Sequence, residues 1–390
     1  MMYNRLLTCI LIVWLAAIRA TAQNLQQRLD SLIAESSLLT TTQLGMMVYD
    51  LTADSVIYRY GERQMLRPAS TMKLFTAITA LDLLPDDHWL HTSLFHTGTI
   101  SGGVLSGDLI CYGTMDPEFD TDDLQAFVYA LQELGIDTIR GSIVADRSFK
   151  EEELLGEGWC WDDKNPVLTP LLLNRNDNLA EQLLVAIRKA GIVVVGGLRS
   201  ETRTARNKST LVCRRSHSLD LILQKMLKES DNLYAETVFY QIAAVSSQLP
   251  AQAKQARAAV RRLINQIGFN PQQYRIADGS GLSLYNYVSA ELETMMLRYA
   301  WQQEHIISRL LPQLPVAAED GTLKSRMAGT AAAGNVRAKT GTLTGISSLA
   351  GYCTAANSHE LAFCIINQGV MRAADGKAFQ DNVCVLLCQP

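Results

Sequence analysis

Strand-like segments gather at the two ends of the chain, and a helical block separates them. At the front, Leu44–Tyr49 and Ser55–Tyr60 read as two strands around the turn Asp50-Leu51-Thr52-Ala53-Asp54. At the back, Val336–Thr342, Ser347–Ala355 and Glu360–Asn367 read the same way. Apolar residues recur at helical spacing in Leu25–Ser37, Leu219–Lys228, Leu233–Val245, Ala253–Ile267, Ala290–Gln303 and Ala378–Leu387. Runs of strands and runs of helices, rather than strict alternation, indicate an α+β chain.

A further stretch, about Thr92 to Arg206, reads as an insertion. Thr92–Gly98 and Gly107–Tyr112 are strand-like, with Gly102-Gly103 between them as a turn. Thr121–Leu134 is an amphipathic helix, Ile139–Ala145 a strand, Leu179–Ala190 a helix and Ile192–Val195 a strand. This is the pattern of a small α/β subdomain. Trp159 and Trp161 fall in a loop rich in Gly and Asp, read as a packed lid.

Residues 1–22 have the form of a secretory signal: Arg5, the apolar segment Leu6–Ile18, and Ala20-Thr21-Ala22 ahead of Gln23. No other segment is long and apolar enough to cross a bilayer. The remainder is expected to work outside the cytoplasm, in the periplasm or beyond, with no stable membrane span once the leader is removed. A net charge of −4 gives no reason to expect nucleic acid as a partner. Of eight cysteines, seven remain without Cys9, so at least one thiol is free or pairs between chains. No Cys-x-x-Cys has zinc spacing, and His88 and His91, flanking Trp89, read as a surface loop. No metal or organic cofactor is expected.

Three short motifs carry the chemistry: Ser70-Thr71-Met72-Lys73, Ser230-Asp231-Asn232 and Lys339-Thr340-Gly341-Thr342. Ser70 and Lys73 sit one helical turn apart at the start of the apolar run Leu74–Leu81, so both side chains share a face. There the free amides of the helix start favour negative charge. Acyl transfer from an amide needs a hydroxyl nucleophile, a base, a proton for the leaving amine and donors for the oxyanion. Ser70 supplies the first and Lys73 the second; Ser230 can relay the proton. Asn232 can hold the substrate amide. Lys339 adds a second positive charge, which favours a neutral Lys73 and attracts a carboxylate. Thr340 and Thr342 offer hydroxyls to it, and Gly341 lets strand and substrate approach closely. The backbone N–H groups of Ser70 and Thr342 would form the oxyanion hole.

This trio is the set found in penicillin-binding proteins and related β-lactamases. The chain resembles the class C low-molecular-mass penicillin-binding proteins, the D-alanyl-D-alanine carboxypeptidases and endopeptidases of the DacB type (peptidase family S13). The resemblance extends to Ser230-Asp231-Asn232-Leu233-Tyr234-Ala235-Glu236, Asp278-Gly279-Ser280-Gly281-Leu282-Ser283, Gly321-Thr322-Leu323 and Val336–Gly345. It also takes in Gly156–Asp163, which looks like that family's inserted domain. It implies a serine β-lactamase/transpeptidase-like fold: a five-stranded antiparallel sheet flanked by helices, with a helical part. The catalytic domain would comprise 23–91 and 207–390, with 92–206 inserted. It further implies a serine hydrolase of peptidoglycan. Such an enzyme removes terminal D-alanine from stem peptides or cleaves D-Ala cross-links, and is acylated by β-lactam antibiotics.

Two departures stand out. Leu173-Asn174-Arg175-Asn176 runs almost directly into the Leu179 helix, so one of the family's inserts is expected to be missing. Thr114-Met115-Asp116-Pro117 places Met115 where that family tends to have a Gly-Asp-Pro loop. Two other readings are weighed. A class A β-lactamase would need a glutamate four residues before an asparagine, and Pro170 stands there before Asn174. A non-hydrolytic penicillin sensor or wall-binding module is disfavoured by the complete acylation set. Leu219, Ile222, Leu223 and Met226 read as core, and Glu236 as a member of a structural ion pair.

Overall fold

The computed structural model describes residues 25–161, 165–201, 208–246 and 249–389; the expected leader lies outside them. Helix α1 (25–35) precedes strands β1 (Gln43–Asp50) and β2 (Ser55–Tyr60). Helix α2 (Met72–Leu83) leads into β3 (Trp89–His96), β4 (Thr99–Ser101), β5 (Val104–Ser106) and β6 (Leu109–Gly113). Next come α3 (Thr121–Glu133), β7 (Thr138–Ile139), β8 (Ile143–Asp146), α4 (Leu179–Lys189), β9 (Val193–Val194), β10 (Leu198–Glu201) and β11 (Thr210–Ser218). Helices α5 (Leu219–Lys228), α6 (Asn232–Ser246), α7 (Ala253–Gln266), α8 (Ala290–Gln302) and α9 (Glu304–Leu310) follow. The chain closes with β12 (Arg337–Leu343), β13 (Gly345–Thr354), β14 (Glu360–Val370) and α10 (Ala373–Cys388).

The chain divides into two compact units. One comprises the described residues up to Leu74, with Ile267–Arg275 and Asn286 onward; the other comprises Phe75–Gln266 and Ile276–Tyr285. This division by compactness is a different quantity from the expected insertion boundaries at 92 and 206, which concern the order of segments along the chain.

The first unit holds a five-stranded sheet in the order β12-β13-β14-β1-β2, antiparallel throughout. The front and back strand groups are thus one sheet, as expected from the resemblance. β1, β13 and β14 are buried at almost every position because helices cover both faces. Met46, Val48, Phe363, Ile365 and Leu349 pack against Leu29 of α1 and Phe379, Val383 and Leu387 of α10. On the opposite face, the Tyr352 hydroxyl of β13 donates to Leu297 O of α8. β12 is left at the sheet edge, which matters for the site.

The second unit contains a mixed sheet, β10-β8-β6-β3-β11, and a small sheet, β4-β5-β7-β9. A core including Phe127, Leu131, Leu183 and Ile187 joins α3 and α4 to the strands. Asp120 and Asp123 close a reciprocal cap at the start of α3. Gly102-Gly103 is a turn, as expected; with φ of 56° and 79° it closes the short hairpin β4–β5 between the two longer strands. Two expectations are corrected here. Ile139–Ala145 is not one strand: β7 and β8 enter different sheets, and the chain switches at Gly141, where a Cβ would lie 2.2 Å from Gly107 O. His91, expected in a loop, lies in β3, while exposed Trp89 opens that strand.

The expected missing insert has a structural counterpart. Leu173 and Asn176 pair across a two-residue turn in which Asn174 and Arg175 have φ of 48° and 69°. Met115, also at positive φ (62°), is fully buried, and its carbonyl accepts from Thr237 Oγ1. Trp159 is packed, donating through Nε1 to Asp278 Oδ2, whereas Trp161 is 86% exposed.

Candidate active site

Ser70 lies in a short 3-10 turn, Ala69–Thr71, that feeds α2. Ala69 is held at φ 51°, a conformation costly for a residue with a Cβ. The strain is tolerated because the turn is tied down. Thr71 Oγ1 donates to Pro68 O at 2.9 Å, and Ser348 Oγ of β13 donates to the same carbonyl. One turn into the helix, Lys73 Nζ donates to Ser70 Oγ at 3.1 Å. Lys73 is fully buried, and Ser70 is half-buried at the surface of the turn.

The edge strand β12 lies against this turn. A Cβ on Gly341 would sit 2.1 Å from Ser348 Oγ, 2.7 Å from Pro68 O and 3.0 Å from Ser70 N. Only a hydrogen fits there. Gly341→Ala is therefore expected to push β12 off the turn, at about 1–3 kcal/mol of overpacking. Acylation by a fluorescent penicillin should fall about 100-fold, because reacting groups displaced by about an ångström lose that much. A lower melting temperature with an unchanged acylation rate would show that the close approach serves packing alone.

Ala338 N donates to Pro315 O, outside the sheet. By strand alternation, the N–H groups of Thr340 and Thr342 face the same open edge. Thr340 Oγ1 hydrogen-bonds Thr322 Oγ1 at 2.8 Å, while Thr342 is exposed. Lys339 is fully buried, and its Nζ donates to Thr340 O at 2.8 Å. Burial, and then the charge of Lys73, hold its ammonium well below the ordinary lysine range. Two buried ammonium groups repel, so the pair holds one proton more readily than two. A carboxylate arriving at Lys339 would favour the charged form of that ammonium.

Ser230 and Asn232 belong to the other unit. They flank the junction of α5 and α6, where Ser230 takes φ 62°. Asp231 Oδ1 accepts from Leu233 N at 2.9 Å and Tyr234 N at 3.3 Å, capping α6. Its Oδ2 pairs with Arg175 Nη2 at 2.6 Å, and that guanidinium lies over the Tyr234 ring. The tight turn at Asn174-Arg175 thus braces the second motif. Glu236, one turn along α6, accepts the N–H groups of Gly279 and Ser280. Thr76 Oγ1 of α2 donates to Gly279 O at 2.6 Å. Among the described residues, no group of three His, Cys, Asp or Glu side chains is arranged to hold a metal ion.

Two contributors were missed from sequence. Ser348 was recoverable in principle, because the short β12–β13 hairpin fixes the register Gly341↔Ser348. Arg175 carries no sequence signal for its contact.

The model of the D-Ala-D-Ala carboxypeptidase 3 (S13) family matches residues 25–173 and 172–389. The chain belongs to this family. The match is broken immediately before the Asn174-Arg175 turn. Like other S13 members, the chain is a serine peptidase of the D-Ala-D-Ala carboxypeptidase kind. It is 25% identical to D-alanyl-D-alanine carboxypeptidase DacB of Haemophilus influenzae, over 83% of this chain and 84% of that one. It is 27% identical to a D-alanyl-D-alanine carboxypeptidase of Actinomadura sp., over 95% and 85%. In structure it resembles penicillin binding protein 4 of H. influenzae, with a TM-score of 0.84, 24% identity and coverage of 91% and 98%. A predatory peptidoglycan endopeptidase of Bdellovibrio bacteriovorus shares the fold at a TM-score of 0.56 and 18% identity, over 84% and 86%. Among the described residues, no helix is long and apolar enough to cross a membrane.

Proposed function

We propose that this S13 peptidase is exported and acts on peptidoglycan stem peptides through an acyl-enzyme on Ser70. The observation that carries the reading is the 3.1 Å contact between Lys73 Nζ and Ser70 Oγ, made by a fully buried lysine. Neutral Lys73 takes the hydroxyl proton as Ser70 Oγ attacks the carbonyl before the last D-alanine. The N–H groups of Ser70 and Thr342 receive the oxyanion. Asn232 holds the substrate amide, and Ser230 passes a proton to the leaving amine. Lys339, with the hydroxyls of Thr340 and Thr342, takes the terminal carboxylate. Water then attacks the ester; neutral Lys73 takes a proton from it and delivers that proton to Ser70 Oγ as the acyl–oxygen bond breaks, which restores the hydroxyl and the neutral base. A β-lactam is attacked in the same way, but its leaving nitrogen stays tethered, so the acyl group persists.

Residues 1–22 serve as the export signal in this reading, and 92–206 as an insertion into a catalytic domain of 23–91 and 207–390. The test uses a peptide ending in D-Ala-D-Ala beside a cross-linked muropeptide dimer. Release of free D-alanine is the expected result. Cleavage of the dimer alone would make the enzyme an endopeptidase. Acylation by penicillin with neither peptide cleaved would leave a sensor.

A further inference from the structure

Thr71, beside the nucleophile, has one hydroxyl proton and two neighbouring acceptors. Its Oγ1 lies 2.9 Å from Pro68 O and 3.2 Å from Glu293 Oε2. A hydroxyl has one O–H to donate and can also accept. Pro68 O and an ionised Glu293 oxygen both only accept, so one proton cannot serve both; we assign it to Pro68 O, the closer of the two. The second contact is then a hydrogen bond only if the carboxyl brings the proton, which an ionised carboxylate cannot do.

The surroundings of Glu293 agree. It projects from α8 and is 1% exposed; the Thr71 hydroxyl and the Cys364 thiol adjoin its carboxyl, and Oε1 makes no hydrogen bond of normal geometry. An ionised carboxylate left so would be expensive. Burial pushes its pKa up to about 7, against smaller opposing effects of the Thr71 and Cys364 hydrogen bonds. The other titratable groups around α8 leave this picture intact. On β14 the Cys364 thiol is driven well above its ordinary range by burial and by the Glu293 carboxyl. On β13 the Tyr352 hydroxyl is driven up by burial and committed to Leu297 O. On β1, Tyr49 is bonded to Asp54, which also pairs with Arg298 of α8 itself. On α9, Glu304 and His305 are exposed and Arg309 half-buried. Lys73, on the helix after the turn, bonds to Ser70.

We propose that Glu293 is a positioning residue acting as a neutral acid. Its carboxyl donates to Thr71 Oγ1, Thr71 donates to Pro68 O, and this relay fixes the strained Ala69 turn that presents Ser70. Pro68 O also receives the Ser348 hydroxyl and, at 3.4 Å, the Thr71 N–H, so the two hydroxyls reinforce the hydrogen bond of the turn itself. Ionisation of Glu293 removes the first donor and turns the Thr71 hydroxyl toward the new charge, unclamping the turn.

The kinetic readout rests on the Ser70 acyl-enzyme reading; the spectroscopic one does not. Infrared difference spectra of the full-length protein, wild type minus Glu293→Gln, are expected to show a protonated-carboxyl carbonyl band at pH 6. The band should fade as the pH passes about 7. Its absence at pH 6 would overturn the proposal. In acylation by a fluorescent penicillin, Glu293→Gln should stay within about 3-fold of wild type at pH 6, since the amide N–H replaces the acid proton. Glu293→Ala and Thr71→Val should lose about 30-fold, consistent with a mispositioned nucleophile. Wild type should slow above pH 7 relative to Glu293→Gln. A glutamine variant as slow as the alanine one, or an alanine variant as fast as wild type, would overturn it. Should Glu293→Ala not fold, Thr71→Val and the glutamine pH profile decide. If wild type itself is not acylated, the Ser70 reading fails, and the infrared band alone decides the state of Glu293.

Discussion

Ser70→Ala is expected to form no covalent adduct with a penicillin and to lose roughly 100,000-fold or more of its D-alanine release. The argument starts from the turn. Ala69 at φ 51° and the bonds converging on Pro68 O place Ser70 Oγ at the mouth of α2, 3.1 Å from Nζ of the buried Lys73. The other hydroxyl of that turn, Thr71, is fully buried and turned to Pro68 O and the Glu293 carboxyl, whereas Ser70 is half-buried beside Lys73. Removing Oγ removes the proposed nucleophile and leaves the bonds to Pro68 O untouched. The fold should survive, with a modest cost because Lys73 loses an acceptor in a buried setting. Intact-mass spectra with and without penicillin, beside a thermal melt, check both halves. A retained adduct would move the nucleophile elsewhere.

Lys73→Met is expected to reduce the acylation rate by about 1,000-fold or more while holding or raising the melting temperature. Methionine fills similar space without charge. General-base assistance contributes about 100- to 10,000-fold, and the 3.1 Å contact places Lys73 to provide it. The stability half follows from burial. Lys73 and Lys339 are both fully buried, and the Lys339 ammonium is held well below its usual range by burial and by Lys73. Removing one charge removes a desolvation cost and a repulsion. On the proposed reading, the buried lysine serves the chemistry at the expense of stability. Lys339 should also take up a proton at higher pH in the variant, because its repelling neighbour is gone. Acylation rates and melts on the same preparation test this. A slow variant that is also strongly destabilised would indicate that Lys73 is structural.

What was legible in the sequence was what is local or sequential. Ser70 and Lys73 lie three apart on one helix, so their meeting follows from helical geometry. The cap of α6 by Asp231 is likewise local. The five-stranded sheet could be named because strand groups at both ends resemble a known arrangement, and β1 indeed pairs with β14. The rest depended on distant contacts. Ile139–Ala145 reads as one apolar strand, yet its halves join different sheets because Gly141 lets the chain pass close to Gly107. Gly102-Gly103 was recognised as a turn, but the short strands it joins are too brief to show a period. Arg175 reaches Asp231 from a turn 56 residues away in the sequence. Glu293 meets Thr71 across 222 residues, and nothing in an amphipathic helix marks one of its glutamates as buried.

Peptide mapping by mass spectrometry of the wild-type protein after brief exposure to a penicillin tests the central claim most directly. The account predicts a single penicilloyl adduct on the peptide carrying Ser70, formed at that residue. An adduct at any other residue, or none under conditions where the protein is folded, would contradict it.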